Sequence, residues 1–205
     1  MSRGAGSAHP WLARVFVAYY VALIGYGVAT SKTQTFFYAA FVGAGAVVVM
    51  SLYRRTPLSS LVLWGLALWG LAHMIGGLVD IGGEAIYERS WGAGELRFDK
   101  IVHFWGFGFA TLAGYELLRD RLQPAAPSGA VAIAAFFVGL GIGAVNETVE
   151  FLLTLLPTES NIGGFTNTGW DLVANALGAA AAAIAAPQLH PHRSTAQGAG
   201  NRAAR

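Results

Sequence analysis

The sequence predicts an all-α fold, a polytopic bundle of about six transmembrane helices that forms a single domain over residues 1–186. Of the 205 residues, 55% are apolar and only 12% are charged, against roughly 25% charged in an average soluble domain. Six apolar stretches are long enough to cross a bilayer core, which takes about 20 residues per helix. The composition therefore excludes an ordinary soluble enzyme and a disordered chain.

Each predicted crossing ends at residues that favour a turn or carry charge. The first is followed by Ser-Lys-Thr at 31–33, the second by Arg-Arg-Thr-Pro at 54–57, and the third by a charged, glycine-containing segment at 81–98. The fourth and fifth are followed by 119–127 and 157–167. The sixth is rich in alanine after Leu177, so we expect it to insert by packing on its neighbours. The crossings span 11–30, 36–53, 58–80, 99–118, 129–156 and 169–186.

Lysine and arginine in the short connections predict the orientation, since cytoplasmic loops carry an excess of both. With the N-terminus inside, nine of them fall on the inner side: Arg3, Arg14, Arg54, Arg55, Arg119, Arg121, Arg193, Arg202 and Arg205. Four fall on the outer side: Lys32, Arg89, Arg97 and Lys100. We therefore predict that both termini are cytoplasmic and that residues 187–205, rich in Pro, Gly and Ala, form a disordered tail.

An alternative interpretation concerns the first crossing alone. Arg14, the apolar run after it and Gly27-Val28-Ala29 have the layout of a secretory signal with a small-residue cleavage site. Cleavage there would leave five helices in the same orientation. The apolar run is long for a signal, which favours a retained helix.

Charge and cysteine content exclude several classes of function. The net charge is only +2, and no basic stripe suggests nucleic acid as a partner. The chain has no cysteine, which excludes disulfides, thiolate catalysis, iron–sulfur clusters and cysteine zinc sites. A bound metal would have to take its ligands from His, Asp, Glu and Asn.

Polar side chains recur at helical spacing in four of the crossings, where ionisable groups are costly and mark functional sites. Residues three, four or seven apart share one face of a helix. The stripes are His73, Gly77 and Asp80 in the third crossing, Asp99, His103, Gly106 and Ala110 in the fourth, Gly143, Glu147, Glu150 and Thr154 in the fifth, and Asp171, Asn175 and Gly178 in the sixth. In the predicted orientation all of them fall in the outer half of the membrane. We therefore predict one shared cavity that opens to the extracytoplasmic side.

These stripes supply the candidate site residues. The ligand-binding candidates are His73, Asp80, Asp99, His103, Asn146, Glu147, Glu150, Asp171 and Asn175. Glu147, Glu150 and His103 are candidate catalytic groups, since carboxylates and imidazoles act as general bases. The candidate ligands of a divalent cation are His103, Glu147, Glu150 and Asp171. In the alternative interpretation, these side chains bond helices to one another, or lie solvated at the interface, as Asp80, Asp99 and Lys100 could.

Three segments carry a resemblance to a known family. Residues 99–104, Asp-Lys-Ile-Val-His-Phe, resemble the Asp-Lys-x-x-His-Phe opening of VanZ-like membrane proteins. Residues 147–151, Glu-Thr-Val-Glu-Phe, resemble the Glu-x-x-Glu-aromatic segment of the related YjdF-type inner-membrane proteins. Residues 169–178 combine the Trp-Asp of that group with the VanZ-like Asp-x-x-x-Asn-x-x-Gly ending.

The resemblance covers roughly residues 99–180 and departs from the VanZ-like pattern at two places. Glu150 stands where that pattern has Gln, and a run of Gly, Asn and Thr residues precedes Trp170-Asp171 where it has Arg. The chain is thus nearer the YjdF-type branch. The resemblance implies a small integral inner-membrane protein with no settled biochemical activity, linked in some members to glycopeptide tolerance. Its implied polar positions are Asp99, His103, Glu147, Glu150, Asp171 and Asn175.

Three functions are compatible with such a cavity. A binding protein would hold an envelope or lipid-linked ligand there, and it needs no further features. A hydrolase or transferase would use a divalent cation on a lipid-linked substrate, with Glu147 or Glu150 as general base. A carrier would couple protons or cations to the movement of a small solute, yet the predicted inner half offers a single polar step, Glu116.

Overall fold

The computed structural model of the chain describes residues 10–90, 96–122, 126–155 and 164–190. Its six long helices confirm the predicted helical bundle. They are α1 (Pro10–Ala29), α2 (Thr35–Arg55), α3 (Ser60–Leu78), α4 (Phe98–Leu122), α5 (Ser128–Thr154) and α6 (Phe165–Leu189). The helix α6 continues through Pro187 to Leu189, three residues beyond the predicted boundary at 186. The rest of the predicted tail, from residue 191, lies outside the described residues.

Five of the six described helices are long and apolar enough to cross a membrane, and α4 is the exception. Lys100 at its start and His103 and Glu116 within it lower its hydropathy. It is also the helix with the most protein around it, because it packs against α3, α5 and α6. The helix with the weakest preference for lipid is therefore the one that is most shielded from it.

The helices α1 and α2 lie at the periphery of the bundle and pack on α3. Large apolar side chains on their outer faces are exposed, among them Trp11, Phe36 and Val47. An exposed apolar surface of this extent indicates contact with a membrane. The protein is therefore a multi-pass membrane protein whose outer helices touch the lipid.

The apolar core of α3–α6 fills one end of the bundle. It contains Val62 from α3, Leu112 and Tyr115 from α4, Val131 from α5 and Ala186 from α6. A second, smaller apolar cluster around Val42, Met74 and Leu78 joins α3 to α1 and α2. We call the opposite end of the bundle, where α3 and α5 finish and α4 and α6 begin, the polar end.

Glycine allows α4 and α6 to touch at the backbone. A Cβ added at Gly178 would lie 2.0 Å from the carbonyl oxygen of Phe104, and one at Gly108 would lie 3.3 Å from the carbonyl oxygen of Gly178. Small residues permit such close approach between membrane helices. The contact fixes the register of the two helices directly after His103 in α4 and one turn after Asn175 in α6.

The connection between α3 and α4 differs from the prediction. The helix α3 ends at Leu78 rather than at 80, and Asp80–Ile81 (β1) pairs antiparallel with Glu84–Ala85 (β2). Gly82 and Gly83 form the turn with φ of +68° and +86°, the conformation that a tight two-residue hairpin requires. A short 3₁₀ helix, Ile86–Glu88, follows and places Tyr87 against the bundle.

A small polar cluster lies at the end of the bundle opposite the polar end, next to the apolar core. Glu116 accepts a hydrogen bond of 2.7 Å from the backbone N–H of Ser59, which caps the N-terminus of α3, and lies 3.0 Å from His190 Nε2. Burial lowers the pKa of His190 below its usual value; the carboxylate of Glu116 opposes this shift, and the charge of Arg119 adds to it. Glu116 thus holds the start of α3 against the ends of α4 and α6.

Candidate functional site

The polar end gathers side chains from four helices. His73 lies near the end of α3 and Glu147 and Glu150 near the end of α5, whereas Lys100 and Asp171 lie near the beginnings of α4 and α6. Because neighbouring helices in this part of the bundle run antiparallel, the ends of two meet the beginnings of two. The four stripes predicted at helical spacing therefore converge on one region.

Lys100 is the centre of the first group of contacts. Its ammonium is buried and donates to Asp99 Oδ2 at 2.8 Å, Asp171 Oδ1 at 2.7 Å and Asn167 Oδ1 at 2.8 Å. Asn167 Nδ2 also donates to Asp171 Oδ2 at 2.7 Å. One cation thus bridges two carboxylates and joins α4 to α6.

His103 is the centre of the second group. Its Nδ1 lies 3.0 Å from Asn175 Oδ1 and 3.2 Å from Glu147 Oε1, and Asn175 Nδ2 donates to the same glutamate oxygen at 3.0 Å. The other oxygen of Glu147 is buried and has no hydrogen-bond partner within the described residues. These contacts link α4, α5 and α6 through one imidazole.

The two glutamates of α5, Glu147 and Glu150, take their shorter amide hydrogen bonds from different asparagines. Asn146 Nδ2 donates to Glu150 Oε1 at 2.8 Å and lies 3.4 Å from Glu147 Oε1. Glu150 Oε1 also faces His103 Nε2 at 3.9 Å. Each carboxylate therefore has its own amide donor, and one imidazole stands between them.

A cavity of about 100 Å³ opens beside these groups. One wall is polar and belongs to α4, α5 and α6, and the facing wall is aromatic and belongs to α2, α3 and the 3₁₀ helix. That volume accommodates several waters or a small head group. The lining residues are Gln34, Phe37, Tyr38, Phe41, His73, Tyr87, Asp99, His103, Asn146, Val149, Glu150, Leu153, Asn167 and Asp171.

His73 lines the same cavity on its aromatic wall. Its ring lies 5.1 Å from those of Tyr38 and Phe41 and 5.5 Å from that of Trp69. The hydroxyl of Tyr87 contacts His73 Nδ1, and burial raises the pKa of Tyr87 well above its usual value. This contact fixes the ring of His73 against the 3₁₀ helix.

Asp80 does not belong to this region. Because α3 ends at Leu78, the helical spacing that placed Asp80 on the face of His73 no longer applies. Its side chain is exposed and pairs with Lys32 in the connection between α1 and α2. The structure brings eight of the nine ligand-binding candidates to the cavity or to the hydrogen bonds beside it, and Asp80 is the exception. The eight are His73, Asp99, His103, Asn146, Glu147, Glu150, Asp171 and Asn175.

Sequence reasoning missed Lys100, Asn167 and the aromatic wall. Lys100 lies one helical turn before His103, and Asn167 lies one turn before Asp171, so both continue stripes that were already recognised. The sequence places Lys100 at the membrane interface in solvated contacts, and it places Asn167 in a connection because the predicted sixth crossing begins at 169, four residues after α6 does. The aromatic wall gave no such signal, since Phe and Tyr are ordinary residues of membrane helices.

The donors and acceptors of this region suit a cationic or hydrogen-bonding ligand. The contacts include the four carboxylates of Asp99, Glu147, Glu150 and Asp171, against the ammonium of Lys100. When ionised, these four carboxylates outnumber the cationic side chains Lys100 and His103 whether or not His103 is protonated, so the region carries excess negative charge. It can therefore attract a cation, or protonate and bind the hydroxyls of a polar head group.

A family model described as "Predicted membrane protein (DUF2238)" matches residues 11–191. The match includes all six described helices except the first residue of α1. No curated protein and no solved structure matches the chain.

Proposed function

The chain belongs to the DUF2238 family of predicted membrane proteins, and on that premise we propose that it binds the polar head group of an envelope or lipid-linked ligand in its cavity. The observation that carries this proposal is the contrast between the two walls of the cavity. Ionisable and amide groups can hold a polar head group, while the rings opposite can pack on its apolar part. A ligand with both parts matches both walls.

The resemblance of residues 99–104, 147–151 and 169–178 to VanZ-like and YjdF-type proteins supports an inner-membrane location and an envelope ligand. Four of its implied polar positions, Asp99, His103, Glu150 and Asp171, line the cavity. The excess of Lys and Arg on the inner side supports cytoplasmic termini. In this proposal the cavity therefore faces the extracytoplasmic side.

A binding protein has more support here than a carrier. The second polar cluster, around Glu116 and His190, lies at the opposite end of the bundle. Phe107 and Leu112 lie between the two on α4, and both are buried. This apolar interruption is what a one-sided binding site requires and is unfavourable for a polar pathway.

The orientation can be tested by cysteine labelling, because the chain has no cysteine of its own. Glu84→Cys lies in the connection at the polar end, and Pro57→Cys lies in the connection between α2 and α3 at the other end; both positions are exposed. We expect a membrane-impermeant maleimide to label position 84 in intact spheroplasts and position 57 only after lysis. Labelling of position 57 alone before lysis would place the cavity on the cytoplasmic side and contradict the proposal.

Ligand binding can be tested by photo-crosslinking within α5. Benzoylphenylalanine is introduced at Val149, which lines the cavity, or at Phe151, which is exposed and lies outside the lining. Each variant is irradiated in vesicles of total lipid extract from the host membrane, and the adducts are identified by mass spectrometry. We expect position 149 to capture one or a few species selectively, and position 151 to sample the bulk lipids.

The control for this experiment is a change of the polar wall that leaves the crosslinker in place. Glu150→Gln should reduce the selective adduct at position 149, since Glu150 lines the same cavity. It should leave the adducts at position 151 unchanged. The proposal is wrong if both positions capture the same lipids in the same proportions.

A further inference from the structure

Three side chains of the cavity are spaced for a shared ion rather than for hydrogen bonds. His103 Nε2 lies 3.9 Å from Glu150 Oε1 and 3.8 Å from Asp171 Oδ1, and one ligand atom of each residue lies within 4.8 Å of the other two. Hydrogen bonds are shorter, at about 2.7–3.2 Å. Atoms that bind one cation at about 2.0–2.2 Å lie roughly 3–4 Å apart. Two of the three distances lie in this range and the third is no longer than 4.8 Å, so a small movement of the carboxylates closes the gap around a single cation.

The side chains that hydrogen-bond to these three residues are placed like the partners that orient metal ligands in known sites. A metal-binding imidazole gives its other nitrogen to a carboxylate or a carbonyl group, and His103 Nδ1 lies 3.2 Å from Glu147 Oε1 and 3.0 Å from Asn175 Oδ1. His103 is only 6% exposed, so its ring is held in this direction by packing as well. The edge of the imidazole that carries Nε2 points to the two carboxylates across the gap.

The two carboxylates are oriented in the same way. Asn146 Nδ2 donates to Glu150 Oε1 at 2.8 Å, Asn167 Nδ2 donates to Asp171 Oδ2 at 2.7 Å, and Lys100 Nζ donates to Asp171 Oδ1 at 2.7 Å. A carboxylate oxygen has two lone pairs, so each of the two ligand oxygens, Glu150 Oε1 and Asp171 Oδ1, keeps one for a cation. Lys100 contacts Asp171 and Asp99, but no ammonium is within salt-bridge distance of Glu147 or Glu150 in the described residues. A divalent cation in the gap would compensate this remaining negative charge.

We propose that His103, Glu150 and Asp171 bind one divalent cation, Zn²⁺ or Mn²⁺, in the cavity. One imidazole and two carboxylates suit these two ions, since imidazole favours Zn²⁺ and carboxylates favour Mn²⁺. Three protein ligands leave further coordination positions open towards the cavity. A phosphate or carboxylate oxygen of the ligand would fill one of them, and this last step alone rests on the proposed function.

The metal site is tested with the ion alone. The protein is purified in mild detergent, treated with chelator, desalted and dialysed against Mn²⁺ or Zn²⁺, and the bound metal is counted per chain. We expect one ion per chain in the wild type, and pulsed electron paramagnetic resonance of the Mn²⁺ form should show coupling to one histidine nitrogen. Zn²⁺ should displace the Mn²⁺.

Variants separate the three ligands from other acidic groups. Glu150→Gln and Asp171→Asn should each weaken metal binding by about tenfold or more, in line with the loss that even a supporting residue causes. Asp80→Asn is the matched control, because Asp80 also pairs with a lysine but lies outside the cavity. It should bind metal as the wild type does.

Two results would overturn the metal site. One is that the wild type binds no more Mn²⁺ or Zn²⁺ than Glu150→Gln or Asp171→Asn. The other, which needs no variant to fold, is a Mn²⁺ spectrum without histidine coupling. Crosslinking at position 149 is measured independently of bound metal. A failure of the metal site and a failure of the proposed ligand binding therefore remain distinguishable.

Discussion

Lys100→Met is expected to lower the free energy of unfolding by about 3–5 kcal/mol, the usual cost of removing one partner from a buried ion pair. The ammonium of Lys100 donates to Asp99 and Asp171 at 2.8 and 2.7 Å, and Lys100 is only 6% exposed. Methionine fills a similar volume, so the loss reports on charge rather than on packing. Unfolding of the purified protein in mixed detergent and dodecyl sulfate micelles, followed by circular dichroism, measures the change.

The exposed ion pair of the same protein provides the control for Lys100. Lys32→Met breaks the pair with Asp80, and we expect a change of about 0–1 kcal/mol, as is typical of solvated pairs. The double variant Lys100→Met/Asp171→Asn removes charge from both sides and should recover a large part of the loss. If Lys100→Met alone were as stable as Lys32→Met, the carboxylates that Lys100 contacts would have to be neutral.

Gly178→Ala is expected to cost about 3 kcal/mol or more, the upper end of the range for adding a methylene to a packed core. The new Cβ would lie 2.0 Å from the backbone oxygen of Phe104. No rotamer change relieves a contact with the backbone, so α4 and α6 have to separate. Stability in the same micelle titration and the melting temperature should both fall.

Gly141→Ala is the matched control, because a Cβ at this position of α5 meets nothing within 4 Å. Alanine is favoured over glycine in a helix by about 0.8–1.0 kcal/mol in water, so we expect this variant to be as stable as the wild type or slightly more stable. Equal effects of the two alanines would contradict the close approach of α4 and α6.

The helices and most of the polar site could be predicted from the sequence because both depend on local patterns. Apolar length predicts a crossing, and a spacing of three, four or seven residues predicts a shared face. Glu147, Asp171 and Asn175 were found in this way, and they do lie together at the polar end. Convergence of separate helices followed from their alternating direction.

The rest of the site depends on contacts that no local pattern encodes. Asp80 was placed wrongly because Gly82 and Gly83 form a hairpin turn and the helix ends before it. Lys100 was assigned to the interface because a lysine at the start of a crossing ordinarily reaches for water. Its burial depends on Asp171, which lies in another helix.

Lys100 and Asp171 are 71 residues apart in the chain, which has a consequence for biogenesis. Translation reaches α4 long before α6, and α4 is the described helix that falls short of the apolar character of the other five. Until the ribosome has synthesised Asn167 and Asp171, the ammonium at the start of α4 lacks two of its three acceptors. We therefore expect the packing around Lys100 to be completed late, when α6 arrives and supplies these acceptors.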